Sequence, residues 1–144
     1  MVTVIIEELA GQLEERMDGW ELFLNTETGE YEALADGTWV DVDEELAEKI
    51  DSSDFYVRLP NQYDIHEYRI MENFTEATGN PRHKERMFRA LRGRKPYRRF
   101  KDEINALGIA DAYYAWRFVA FCEIAREWCE DNGIPYGMRE STGN

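Results

Sequence analysis

Proline and glycine divide the second half of the sequence into segments of helical length, and this punctuation constrains the fold more than any other feature. "YDIHEYRIMENFTEAT" runs into the break "GNP" at residues 79–81. "PRHKERMFRALRG" and "PYRRFKDEINALG" follow, and each begins with proline and ends with glycine. Proline is favoured at the first position of a helix and glycine just beyond the last. With "DAYYAWRFVAFCEIAREWCEDNG", the sequence predicts helices at residues 63–78, 81–93, 96–108 and 111–133.

The first half has a different pattern, with short segments that suit strands. Residues 20–25 and 30–35 predict two strands, and "TETG" between them predicts a turn, because Gly29 can adopt positive φ. "DGTWVDV" predicts another turn and a third strand around residues 39–41. "DFYVRLP", which Pro60 ends, also reads as a strand.

Two helices complete the first half. "DEELAEKIDSS" predicts a helix with Asp43 as its N-cap. "VTVIIEELAGQLEERM" predicts an amphipathic helix with Thr3 as its N-cap. The apolar stripe of this helix consists of Ile5, Leu9, Leu13 and Met17.

Together these elements predict an α+β fold, with a small antiparallel sheet in the N-terminal half packed with helices and a C-terminal half that is all helical. A chain of 144 residues has the size of one domain, and no segment reads as a flexible linker. We therefore expect a single domain over residues 1–144. Its N-terminal helix and hairpin sheet span about residues 1–60, its helical part 62–133, and a short tail 134–144.

The net charge of −13 conceals a local inversion of sign. Residues 1–81 hold 4 Lys/Arg and 21 Asp/Glu, a net of −17. Residues 82–101, which we call the basic block, hold 10 Lys/Arg and one acid, Glu85, a net of +9. The excess acid repels nucleic acid at long range, and the block reverses that field locally.

The basic block covers two predicted helices and the turn between them. In the first helix Met87, Phe88 and Leu91 are expected to point inward. In the second, the expected apolar stripe is Tyr97, Phe100, Ile104 and Leu107. The cations of the turn and of the outward face of the second helix are the candidate partner-binding residues, and we call them the basic face: Arg92, Arg94, Lys95, Arg98 and Lys101.

Three interpretations of the block remain open. It can neutralise acids of the N-terminal half within the folded chain. It can bind the phosphates of nucleic acid by counterion release. It can instead dock an acidic protein. A separate hypothesis concerns the acidic half, where "VDVDEELAEKIDSSD" belongs to a surface that imitates nucleic acid, as an inhibitor or immunity-type protein would use.

Other chemistry has little support in the sequence. There is no G-x-S-x-G, P-loop or G-x-G-x-x-G motif, and no nucleophile with a base can be named, so we expect no enzyme, no catalytic residue and no cofactor. Asp41, Asp43, Glu44 and Glu45 lack the spacing of an EF-hand, and His66 and His83 have no partner motif, so we expect no metal.

Cys122 and Cys129 lie on one predicted helix, seven residues apart. Their Cα atoms are then about 10 Å apart, and a disulfide needs less than about 7 Å. We expect two free, mostly buried thiols, as in a reducing compartment. No apolar run reaches the roughly 20 residues that span a bilayer, and the start of the sequence makes a poor signal peptide. The default expectation is a cytoplasmic protein with no membrane partner.

The last long helix carries aromatic residues on almost every side: Tyr113, Tyr114, Trp116, Phe118, Phe121 and Trp128. A helix with this pattern is central to a core, or it meets a partner through one face. We expect Phe100, Ile104 and Trp128 to be core residues. A symmetric homodimer through the surplus aromatic face is the alternative.

Three stretches, "LNTETGEYEAL", "RRFKDEINALG" and "AWRFVAFCEIAREWCEDNGI", resemble a family of bacterial proteins of no established function. The resemblance is most specific over residues 97–134, and the sequence departs from the family pattern at "YYAWRFVAF". It implies one fold and a bacterial or phage origin, and it carries over no catalytic residue. The sequence as a whole predicts a binding protein that uses the basic face, and its alternative is the acidic inhibitor.

Overall fold

The computed structural model describes residues 1–139, and these divide into two compact units. The sheet unit comprises Met1–Asp64 and the described residues from Phe121 onward, and the helical unit comprises Ile65–Ala120. Both boundaries fall inside helices rather than in a linker. The expectation of a single domain over residues 1–144 stays a prediction, and residues 140–144 of its tail lie outside the described part of the chain.

The predicted α+β class is confirmed. The sheet unit contains three antiparallel strands in the order β3-β2-β4, namely β2 (Trp20–Asn25), β3 (Tyr31–Ala35) and β4 (Tyr56–Arg58). Two helices precede β4 along the chain, α1 (Ile6–Glu15) and α2 (Glu44–Asp51). Asp43 caps α2 as predicted, because its Oδ1 accepts a hydrogen bond of 3.2 Å from the Leu46 N–H.

The hairpin between β2 and β3 forms where its turn residues predict. Gly29 has a φ of +79°, and its N–H donates to the Asn25 carbonyl at 2.8 Å. The Asn25 side chain accepts from the N–H groups of Glu27 and Thr28 at 2.9 and 3.2 Å. Local hydrogen bonds therefore hold the turn, which is why sequence alone locates it.

The third strand predicted around residues 39–41 is absent, and the third strand of the sheet is β4. The Asp36 carboxylate accepts from the Thr38 N–H at 2.8 Å, and Gly37 has a φ of +91°. This turn leads Trp39 toward Gly19, where an added β-carbon would lie 2.5 Å from Trp39 Cδ1. Trp39 is 76% exposed.

The first helix begins later than predicted, and its buried stripe is shifted. Val4–Ile5 forms β1, which pairs in parallel with β5 (Tyr136–Gly137) near the end of the described chain. Ile5 lies in this strand and at the N-cap position of α1, so Thr3 is not the N-cap and Ile5 does not belong to the buried stripe. Met17 lies beyond the helix and is exposed, and the buried residues are Ile6, Leu9, Ala10 and Leu13.

The helices of the second half form where the Pro and Gly residues predict them, with one exception. The observed helices are α3 (Gln62–Ile65), α4 (Glu67–Ala77), α5 (Pro81–Arg92), α6 (Pro96–Ala106) and α7 (Ala110–Asp131). His66, with a φ of 54°, divides the predicted helix 63–78 into α3 and α4. None of the helices among residues 1–139 is long and apolar enough to cross a membrane.

The predicted core residues are buried. Phe100 and Ile104 are fully buried in the helical unit, where the Phe100 ring meets Phe74 and Tyr113 edge-on at centroid distances of 6.5 and 5.0 Å. Trp128 is buried in the sheet unit, and its Nε1–H donates to the Arg58 carbonyl at 2.9 Å. Each unit therefore has its own apolar centre.

Candidate functional site

The basic block lies on helix α5, on the turn that follows it and on the first half of helix α6. Met87, Ala90 and Leu91 are buried on α5, and Phe100 and Ile104 are buried on α6. These positions fix the inner faces of both helices, so the long cationic side chains at the other positions reach toward solvent. Asn80 caps α5 by accepting from the N–H groups of residues 82 and 83 at 3.0 and 3.2 Å.

Three of the ten cations in the block have a carboxylate partner among the described residues. Arg86 Nη2 lies 2.8 Å from Glu103 Oε2, on the facing helix. Lys84 Nζ lies 3.5 Å from Glu76 Oε2, and Arg89 pairs with Glu85 one turn earlier at 3.1 Å. All three partners belong to the helical unit itself.

The other seven cations form no ion pair within 4.0 Å with any residue of the described chain, and all seven are exposed. They include every residue of the basic face together with Arg82 and Arg99. Arg94 and Lys95 lie in the turn between the helices, and Arg98 and Lys101 are three residues apart on α6. The structure thus leaves the predicted partner-binding side chains open to solvent.

The turn between α5 and α6 places cationic side chains at the N-terminus of α6, which already carries a partial positive charge. Lys95 occupies the N-cap of α6 with a left-handed backbone, φ 51° and ψ 56°, and no side chain caps the helix. The first turn of α6 contains no acid, while Arg98 lies within it. The N-terminus of a helix carries a partial positive charge, so the arrangement is unfavourable without an anion.

Arg99 is a cation that the sequence analysis did not assign to the face. Its guanidinium lies over Gly93, where an added β-carbon would be 2.5 Å from Arg99 Nη1. The two residues line a shallow cleft of about 420 Å³ with Glu85, Arg89 and Arg92. Gly93 was interpreted only as a helix stop, and no local signal indicates that a side chain from the next helix lies across it.

Tyr97 departs from the predicted apolar stripe, because it is 47% exposed. Its ring meets Tyr68 edge-on at a centroid distance of 6.4 Å and an interplanar angle of 72°. The Tyr68 hydroxyl donates to the Leu91 carbonyl at 2.9 Å, so α5 holds Tyr68 in place. Phe88, also predicted to point inward, is only partly buried, and the Arg92 guanidinium lies 5.3 Å from its ring centroid.

The acidic half supplies a second charged feature, a groove between α1 and β3. Its lining includes Glu7, Glu8, Glu15, Glu30 and Glu32, and its volume is about 630 Å³. The backbone N–H of Arg139 donates to both oxygens of Glu7, at 2.9 and 3.1 Å. Arg139 Nη2 lies 3.7 Å from Glu8 Oε1. This groove therefore already receives a cationic residue of the chain itself.

The two cysteines and the candidate metal ligands are the remaining residues that the sequence singled out. Cys122 and Cys129 are free, Cys129 is buried and Cys122 is partly buried. Burial, with Glu130 as a smaller cause, raises the pKa of Cys129 to about 11, and burial likewise raises the pKa of Cys122. Residues 1–139 contain no group of three or more His, Cys, Asp or Glu side chains that could hold a metal ion.

The aromatic residues of α7 divide between core and surface. Tyr113, Phe121 and Trp128 are buried, whereas Tyr114 and Trp116 are partly exposed on the helical unit. Trp116 still contacts Phe74 at a centroid distance of 5.9 Å. The homodimer through a surplus aromatic face stays a prediction.

Comparison of the chain with protein-family models, with curated proteins and with solved structures finds no match in any of the three. The resemblance of residues 97–134 to an uncharacterised bacterial family stays a prediction.

Proposed function

We propose that this chain is a binding protein that contacts a polyanionic partner, nucleic acid or an acidic protein, through the basic face. One observation carries the proposal: the five cations of that face are exposed and have no carboxylate within 4.0 Å in the described chain, although the protein has an excess of acids. Surfaces that neutralise charge internally place their cations against acids. Only Lys84, Arg86 and Arg89 do so within the block.

The electrostatics of the α5–α6 turn support the same proposal. Like charges at the uncapped N-terminus of α6 repel one another and the helix dipole. A bound anion would remove both unfavourable interactions and would release condensed counterions from a phosphate chain. The face therefore favours a partner with closely spaced negative charges.

The direct test is a binding measurement with defined polyanions. The full chain would be titrated against a fluorescent 20-nucleotide DNA strand, its duplex and poly-glutamate. Arg94→Gln/Lys95→Gln removes two positive charges from the face, and Lys49→Gln/Arg58→Gln removes two exposed positive charges from the sheet unit. We expect the first variant to weaken binding by about tenfold or more, and the matched control by less than about twofold.

Salt dependence provides a second measurement on the same variants. The logarithm of the association constant falls as the logarithm of the salt concentration rises. This negative slope should become less steep by about 2 for Arg94→Gln/Lys95→Gln, because two phosphate contacts are lost. Equal effects of the two double variants would refute the basic face as the site. No measurable binding of the wild-type chain to any of the three polyanions would also refute it.

A second candidate function rests on the contact between Arg139 and the acidic groove. Carboxylates that receive an arginine of their own chain can receive one from a partner, as an inhibitor of a basic, nucleic-acid-binding protein requires. The chain would be titrated with an oligo-arginine peptide. Glu7→Gln/Glu8→Gln should weaken this binding about tenfold, and the control Glu127→Gln/Asp131→Asn, which changes two exposed acids of α7, should not. Equal losses would indicate non-specific attraction to the net negative charge.

A further inference from the structure

We infer that the polyanion is a single-stranded nucleic acid, with Tyr97 as the platform on which a base stacks and the cations of the basic face as its phosphate contacts. This inference rests on the proposed function and specifies the partner. Its first support is position. Tyr97 lies on the first turn of α6, three residues after Arg94, one before Arg98 and four before Lys101. The ring is therefore surrounded along the chain by exposed cations.

The second support is that the ring is both exposed and held. Tyr97 is 47% exposed, although it continues the apolar spacing of the buried Phe100 and Ile104. The edge contact with Tyr68 fixes its orientation, and the hydrogen bond from Tyr68 to the Leu91 carbonyl fixes Tyr68. An aromatic ring that is already oriented loses little conformational freedom when a base stacks on it.

The third support is the combination of planar groups with cations. The Arg92 guanidinium lies 5.3 Å from the Phe88 ring centroid, so an aromatic side chain positions one cation of the face. Single-stranded nucleic acids are bound by a positively charged track that carries aromatic stacking platforms. An acidic protein offers carboxylates without the flat faces of bases, and a duplex keeps those faces stacked within itself.

The experiment compares single strands that have equal charge but differ in their bases, with a duplex and poly-glutamate as further probes. Anisotropy titrations of the full chain would use 12-nucleotide oligo-dT, oligo-rU of the same length, an abasic 12-mer, a 12-base-pair duplex and poly-glutamate. We expect oligo-dT or oligo-rU to bind about tenfold more tightly than the abasic strand, because only strands with bases can stack. The ratio between the DNA and RNA strands identifies which of the two is preferred.

Variants at position 97 assign the difference to the ring. Tyr97→Phe should retain the preference for bases, and Tyr97→Leu should abolish it while leaving abasic-strand affinity within about twofold. Circular dichroism and thermal unfolding of both variants check folding. If a variant fails to fold, the inference is still tested by comparing the affinities of the wild-type protein for the strands with bases and for the abasic strand.

The outcomes separate this inference from the proposed function. Equal binding of strands with and without bases, weakened by Arg94→Gln/Lys95→Gln, would overturn the stacking role and leave the polyanion-binding function standing. Tighter binding of the duplex or of poly-glutamate would do the same and would identify the other partner class. Absence of binding to every probe would overturn both.

Discussion

Phe100 joins the aromatic centre of the helical unit to the helix that carries the basic face. Its side chain is fully buried and contacts Phe74 and Tyr113 edge-on. Tyr97, one turn earlier, is half-exposed. These two aromatic residues of α6 therefore have opposite roles, one in stability and one at the surface, and mutation can separate them.

Phe100→Ala should lower the free energy of unfolding by about 3–5 kcal/mol, because it removes a buried ring and leaves a cavity. Tyr97→Ala should lower it by about 1 kcal/mol, since much of that ring is already in water. Urea denaturation followed by tryptophan fluorescence measures both values. Losses of similar size would mean that the two rings are equally important to the core.

The two thiols should differ in reactivity. Cys129 is buried with its pKa raised to about 11, so it should react with a thiol reagent only after unfolding. Cys122 is partly buried and should react slowly in the native state. Mass spectrometry after timed labelling distinguishes them. Rapid modification of Cys129 in the folded protein would contradict its buried position.

The same pKa shift predicts a pH dependence of stability. The folded protein holds the Cys129 proton more tightly than the unfolded chain, in which the thiol has its ordinary pKa of 9.0. The contribution is therefore fully present below pH 9 and is lost as pH rises toward 11. The difference in unfolding free energy between wild type and Cys129→Ala should decrease over this interval. A difference that stays constant with pH would show that the pKa of the thiol is not shifted.

At the scale of elements, the α5–α6 turn combines backbone strain with charge repulsion. Lys95 is one of two non-glycine residues with positive φ in the described chain, and the other is His66. Both precede a helix without capping it through a side chain. Such conformations cost on the order of 1 kcal/mol, which glycine avoids.

Lys95→Gly should therefore raise the free energy of unfolding by about 0.5–1 kcal/mol and at the same time weaken polyanion binding severalfold. His66→Gly is the matched control, since it relieves the same strain at a site outside the basic block. It should stabilise the protein by a similar amount and leave binding unchanged. Weaker binding in both variants would attribute the effect to the backbone rather than to the charge.

Elements that depend on local chemistry were predicted well. The hairpin turn rests on Asn25 and Gly29, and helix α5 on the Asn80 cap and Pro81, with the residues of each pair close together in sequence. The β1–β5 pair joins residues that are more than 130 positions apart, so no local pattern indicates it. Without that pair, Ile5 was predicted as the start of the apolar stripe of α1.

The site was predicted in part for the same reason. Helical spacing placed Arg98 and Lys101 on an outward face, and they are exposed. The orientation of the Tyr97 ring depends on Tyr68 in another helix, and the position of Arg99 depends on the absence of a side chain at Gly93. Contacts between helices decide these positions, and helical periodicity contains no information about them.

At the scale of the whole molecule, the basic block carries a net charge of +9 and the remaining residues carry a net charge of −22, so the chain has a net charge of −13. At low salt the Debye length is about 30 Å, and a polyanion approaching the chain feels the net repulsion. At about 0.1 M salt the length is about 10 Å, and the local attraction of the basic face dominates.

The association rate constant with oligo-dT should therefore rise between about 10 and 100 mM salt and fall above that range, whereas the dissociation rate constant should rise throughout. Stopped-flow fluorescence measures both rate constants. Lys49→Gln/Arg58→Gln, which makes the net charge more negative, should lower the association rate constant further at low salt. A steady fall of the association rate from the lowest salt would contradict the opposing long-range field.

The β1–β5 ladder also determines when the sheet unit can be completed during synthesis. The helical unit, Ile65–Ala120, is continuous in sequence, and its helices contact near neighbours along the chain. Val4 and Ile5 are translated before the helical unit, and their partners Tyr136 and Gly137 are translated after it. On the nascent chain, the helical unit can therefore fold while the sheet unit still lacks β5.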